Sequence, residues 1–154
     1  MGSAAPLVKA ALYAGLTGLY AADQLVQVIY GPRGVLARPD LISVGAVRTQ
    51  VDVATIGPGR ARDETHEVTV IFSTSRQGAT ADLQQTVTER VYALVAAFDA
   101  WLIASPNETL AIAGGVQTWA RVTELDLTEP DTAEDLAKGR QAYITTTVRV
   151  RTRI

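Results

Sequence analysis

The sequence predicts an α+β domain in which an antiparallel or mixed β-sheet packs against an N-terminal helix and one long central helix. Three observations carry this. Apolar residues recur at helical spacing in two extended segments, one near the N-terminus and one across the middle of the chain. The other apolar stretches are β-branched or alternating and are bounded by Gly, Pro, Asn and Asp. These strand segments follow one another through loops and do not alternate with helices, which favours helices gathered on one face of the sheet.

The 154 residues fit one domain, 1–154, and a chain of this size buries roughly two-thirds of its unfolded surface. Hydrophobic residues make up 47%, and the net charge is only -2, which excludes a disordered chain. The absence of cysteine excludes a disulfide scaffold, a thiolate zinc site and a cysteine nucleophile. One histidine leaves metal chemistry only a carboxylate site. The near-neutral charge argues against a chain-wide electrostatic grip on nucleic acid, while a local basic face remains open.

Residues 1–6 are expected to be flexible. Val8, Leu12, Leu16 and Leu19 then form one helical stripe. The run Ala10–Ala22, with Lys9 before it, also admits a signal-peptide reading, but a single lysine is a poor positive region. The run is also short of the ~18–20 residues that span a bilayer. Leu25–Tyr30 reads as a first strand closed by Gly31-Pro32. Leu41–Ala54 reads as a second strand, apolar at odd positions Leu41, Val47, Val51 and Val53, with Gly45 marking a bulge.

The stretch 55–63 contains Gly57-Pro58-Gly59 and is expected to be a long loop carrying Arg60 and Arg62. Glu64–Ser75 forms a third strand with His66, Val68, Val70 and Phe72 on one face. The long helix follows over Thr80–Ala104. Its stripe is Leu83, Val87, Val91, Leu94, Phe98 and Leu102; Thr80 is its expected N-cap, and Ser105-Pro106-Asn107 stops it. Val116–Leu127 reads as a strand, and Asp131–Lys138 as one or two helical turns closed by Gly139. The last strand, Arg140–Ile154, is apolar at even positions and carries Arg149, Arg151 and Arg153 on the other face.

Catalytic and binding motifs are scarce. Gly57-Pro58-Gly59 lacks the N–H groups and the following helix of a phosphate cradle. His66 shares a strand face with Val68 and Val70, so it reads as a buried or pairing histidine and not a catalytic base. The acidic run Asp126, Glu129, Asp131, Glu134 and Asp135 lacks the spacing of a calcium loop and reads as a solvated segment. Three arginines on one strand face, about 6.5–7 Å apart, could track phosphates or pair with acids such as Asp131–Asp135, within the subunit or across a neighbour. Pairing or an assembly surface is favoured by the overall acidity, and no aromatic residues interleave to support base stacking. Trp101, Trp119, Tyr92 and Tyr143 read as core or interface aromatics.

Four stretches carry a resemblance to a known family: Glu64–Ser73 running into the long helix, Arg90–Leu102 within it, Val122–Leu127, and the ending Gly139–Ile154, a glycine and a basic residue followed by an amphipathic strand. Across Leu7–Ile154 the chain resembles the tail terminator proteins of long-tailed phages, minor tail proteins that cap the tail tube. The resemblance implies a ring, expected to be a hexamer, at the head-proximal end of the tail. Such a ring ends tube polymerisation, offers a joining surface to the head connector or stopper protein, and lets DNA pass non-specifically through its lumen. It also implies partners in the tube protein and in further copies of the chain. It implies a virion component assembled in the host cytoplasm, with no catalytic residues, no cofactor, no metal and no membrane.

A head-to-tail ring needs two different complementary patches per subunit. The acidic residues Asp131, Glu134 and Asp135 and the basic residues Arg60, Arg62, Arg149, Arg151 and Arg153 are the candidates for an assembly or lumen surface. The alternatives are another head–tail connector or tail-tube subunit, a small α+β enzyme or ligand-binding domain using His66 or the carboxylates, and a secreted domain.

Overall fold

The computed structural model describes residues 2–32, 37–53, 62–110, 112 and 117–154. Among these, helix α1 (Ala5–Leu19) leads to β1 (Val26–Tyr30), β2 (Asp40–Val53) and β3 (Arg62–Arg76). The long helix α2 (Ala81–Ile103) and a single 3-10 turn at Asn107–Thr109 follow, then β4 (Gln117–Thr128), the short helix α3 (Ala133–Ala137) and β5 (Arg140–Arg153). The five strands form one mixed sheet in the order β1-β2-β3-β5-β4. β1 pairs parallel with β2, and every other neighbour is antiparallel. β3 and β4 both run against β5, so α2 joins two parallel strands by crossing over β5.

Both long helices cover the same face, as the order of elements predicts. α1 lies over β1 and β2, and α2 lies over β3, β5 and β4. The stripe Val8, Leu12 and Leu16 is fully buried, as are Val87, Val91, Phe98 and Leu102 of α2. Beneath them lie Val68, Val70 and Phe72 of β3 and Ile144, Val148 and Val150 of β5. Each such side chain contributes about 1.5–3 kcal/mol relative to exposure. Phe72 and Phe98 meet with centroids 5.6 Å apart. Gly15 admits the Trp101 indole onto α1, and that indole stacks in turn on Phe98.

The predicted bulge in β2 is present, between Val44 and Val47, and it corrects the odd-position reading. Two residues there oppose one on β3, so the parity of the strand changes. Ile42 and Val44 face the core before the bulge, and Val47 faces it afterwards. Leu41 is buried without joining that core, and Val51 is exposed. At Gly45 an added Cβ would come within 3.2 Å of the Thr69 carbonyl.

Thr80 does occupy the N-cap position of α2, with an extended backbone, but its side chain makes no capping bond. The predicted turn after Asp131 is α3, capped by Thr132, whose Oγ1 accepts from the Asp135 N–H at 3.2 Å. Gly139 follows at φ 110, where a Cβ would sit 2.4 Å from the Arg76 carbonyl oxygen. Only glycine lets the start of β5 approach the end of β3 so closely. Of residues 1–6, read as flexible, Ala5 and Pro6 open α1, while Ser3 and Ala4 hydrogen-bond to Glu64. Most of the loop 55–63, Arg60 included, lies outside the described residues; Arg62 and Asp63 belong to β3.

Candidate functional site

The face of the sheet away from the helices carries the polar residues that alternation along β3 and β5 turns to that side. Arg149, Arg151 and Arg153 project from this face of β5, opposite Glu67, Thr65 and Asp63 of β3. The register decides the pairing. Arg153 places Nε 2.7 Å and Nη2 3.0 Å from the two carboxylate oxygens of Asp63, a bidentate fork. That hydrogen bond holds the Asp63 carboxyl below the usual carboxylate range and raises Arg153. Arg149 Nη2 lies 2.8 Å from Glu67 Oε1.

Arg151 stands opposite Thr65 on one side and Trp119 of β4 on the other. Among the described residues no carboxylate stands directly opposite it. Arg121 stacks over the Trp119 ring at 4.7 Å from the centroid. Trp119, Arg151, Arg153, Asp63 and Asp52 together line an open cleft of about 580 Å³.

The acids predicted as partners for these arginines lie elsewhere. Asp131, Glu134 and Asp135 surround α3, just before β5 begins. From Arg140 to Arg149 the strand climbs nine residues, roughly 30 Å at ~3.3 Å each. The two groups therefore occupy opposite ends of the subunit and cannot meet within it. Glu134 instead pairs with Lys138 at 3.3 Å, and Asp135 accepts from the Thr132 hydroxyl at 2.5 Å. Asp131 is exposed.

Arg62 is not a free surface cation. Its Nη2 lies 2.5 Å from Oε1 of Glu64, whose side chain is completely buried. Glu64 also accepts from the Ala4 N–H and the Ser3 hydroxyl, each at 2.9 Å. A carboxylate beside the start of a helix satisfies donors that the helix leaves open. Here β3 supplies it to α1 across 60 residues of sequence. Burial alone would raise the Glu64 pKa; the Ala4 N–H, Ser3 and Arg62 outweigh it and hold the carboxyl below its ordinary value.

His66, also fully buried, contacts Thr49 Oγ1 through Nδ1 and Thr152 Oγ1 through Nε2, both at 3.0 Å. Glu64 Oε2 lies 3.3 Å from Nε2. Burial lowers the His66 pKa, and Glu64 only partly opposes it. A ring sealed from solvent and held at both nitrogens is a structural bridge between β2, β3 and β5. It has no face to offer a substrate.

A second polar cluster lies where no motif pointed. Asp40, fully buried at the start of β2, accepts from Arg76 Nη1 at 2.7 Å and from Arg90 Nε at 2.9 Å. Arg90 reaches on to Asp23 at 2.6 Å, and that hydrogen bond lowers the Asp23 pKa. One guanidinium thus ties α2 to β2 and to the α1–β1 connection. The only signal available was an arginine beside the apolar stripe of α2. Among the described residues no cluster of His, Asp and Glu is placed to hold a metal ion, and no helix is long and apolar enough to cross a membrane.

No family model matches the sequence, and no curated protein matches it. A solved structure does, at TM-score 0.59 and 17% identity over 99% of this chain and 100% of the other; it is described as the virion of a native gene transfer agent particle. The two chains share a fold. At this identity the likeness concerns the backbone fold alone.

Proposed function

We propose that the protein is a structural subunit of a phage-like virion, and that within it the chain works as a tail terminator. In this reading copies of the chain close into a ring, with six subunits expected. The ring caps the tail tube, ends its polymerisation and presents a joining surface to the head connector or stopper, while DNA passes non-specifically through the lumen. Its place is the head-proximal end of the tail, reached by assembly in the host cytoplasm.

The observation that carries this is the full-length likeness to a chain of a gene transfer agent virion. The charge layout agrees with it. Acidic residues around α3 and the arginine ladder stand at opposite ends of β5, so one subunit offers different surfaces to a tube below and a connector above. Two of the three ladder arginines are matched by β3 carboxylates, which weakens the ladder's pull on phosphates and suits passage without tight binding. The work assigned to the chain is contact and shape, not catalysis.

Native mass spectrometry with negative-stain imaging tests the reading. Closed rings of about six subunits around a central hole are expected. A compact monomer, both alone and in the presence of tail tubes, overturns it. Long stacked tubes would instead assign the chain to the tail-tube subunits.

A further inference from the structure

A closed ring needs two different lateral surfaces on each subunit, and the sheet has two lateral edges, β1 and β4. We propose that a groove between α2 and β4 receives the β1 edge of a second copy of this chain; this rests on the ring reading above. The groove measures about 460 Å³ and is lined by Tyr92, Val95, Val122 and Leu125, with Asp99 in its wall; the Glu124 carboxylate turns to the other face, where it accepts from Thr147 Oγ1 at 3.3 Å. It exists because α2 is centred over β5 and β3 and leaves the helix-side face of the edge strand β4 partly bare. Leu125 is consequently 55% exposed and Tyr92 46%. Among the described residues, Asp99 makes no ion pair.

The opposite edge has the complementary character. Leu25 is 47% exposed and Tyr30 52%. Lys9 stands 4.4 Å over the Tyr30 ring, and Arg38 lies beside β1, donating to the Val26 carbonyl at 2.6 Å. One edge is therefore an apolar groove with one unpaired carboxylate, and the other carries exposed apolar side chains with two cations. The pattern is heterologous: neither edge is complementary to itself, and each is complementary to the other. Such a contact propagates head to tail and stops only on closure. It also leaves the acidic and basic ends of β5 free for partners along the ring axis.

Charge reversal gives the test. A groove variant, Asp99→Lys, and an edge variant, Lys9→Glu with Arg38→Glu, are each examined by native mass spectrometry, with folding checked by thermal unfolding. Each alone should lose rings, with association on the order of a hundredfold weaker than in the wild type, because every contact then sets like charges together. Mixed in equal parts they should form rings again, since alternating subunits put opposite charges at every contact. Leu125→Glu changes an exposed side chain without touching the core, and should abolish rings alone. Wild-type rings that persist unchanged in all three variants overturn this surface and leave the ring reading intact. A wild type that stays monomeric, alone and with tail tubes, overturns both.

Discussion

Two glycines in one helix make a sharp test of how α1 is held. Gly15 and Gly18 lie three residues apart in α1, and intrinsic helix propensity predicts that alanine improves either position by about 0.5–1 kcal/mol. Their surroundings differ. A Cβ on Gly18 meets nothing within 4 Å, whereas one on Gly15 would lie 2.2 Å from Cη2 and 2.7 Å from Cζ2 of Trp101. Carbon contacts are comfortable at roughly 3.5–4.0 Å, so the indole must retreat by more than 1 Å. Trp101 is stacked on Phe98 at 6.2 Å, and its retreat disturbs the core pair behind it. Overpacking of this kind costs about 1–3 kcal/mol and exceeds the propensity gain.

Gly15→Ala should therefore lose about 1–2 kcal/mol while Gly18→Ala gains about 0.5–1 kcal/mol. For a domain of this size each kcal/mol moves Tm by roughly 2–4 °C, so the two variants should shift in opposite directions by several degrees. Calorimetry or thermal circular dichroism reads this directly. Trp101→Leu should remove most of the Gly15→Ala penalty, a non-additivity expected only of touching residues. Tm shifts of the same sign and size for both alanine variants would refute the packing argument.

Acid should destabilise the fold in two stages. His66 has a folded pKa below its ordinary 6.5 because burial disfavours its charged form, so on acidification the unfolded chain takes up the proton first. Stability present above about pH 6.5 is then lost as pH falls toward the folded value. Glu64 is also held below its ordinary 4.5, so its contribution is present above about pH 4.5 and fades below it. His66→Gln should flatten the Tm profile between pH 7 and 5; an unchanged slope would show that His66 does not carry it. Asp40→Ala takes from Arg76 its carboxylate and leaves Arg90 with Asp23 alone, and should cost about 2–4 kcal/mol in urea unfolding. Arg149→Ala, at a pair more than a third exposed on both sides, should cost at most about 1 kcal/mol. Equal costs would mean that burial does not distinguish the two networks.

Local pattern alone made much of the architecture legible. The alternation of β3 and β5 runs unbroken for thirteen residues in each, so period-two reading assigned both faces correctly, from Val68 and Phe72 to Ile144 and Val150. The stripe of α2 was equally plain, and Gly139 marked its turn because no other residue tolerates that backbone. β2 was harder: a bulge changes parity, and a sequence marks where one falls only by a glycine, not which face follows. Parallel pairing of β1 also left no local trace, since a strand's own residues look the same in either direction.

The candidate site divides along the same line. The sequence determined that Arg149, Arg151 and Arg153 share a face, since that follows from strand geometry. It did not determine their partners. Asp63 and Glu67 lie over 80 residues away in the chain, while the nearer acids at Asp131–Asp135 end up at the far end of the same strand. Likewise, Glu64 meeting the start of α1 and Asp40 meeting Arg90 depend on how elements distant in sequence are laid over one another. Periodicity is a property of consecutive residues, and so the chain by itself settled what each element is and which way it faces. Which charge meets which, and which edge is left bare, depend on the order of strands in the sheet, and only the tertiary structure decided that.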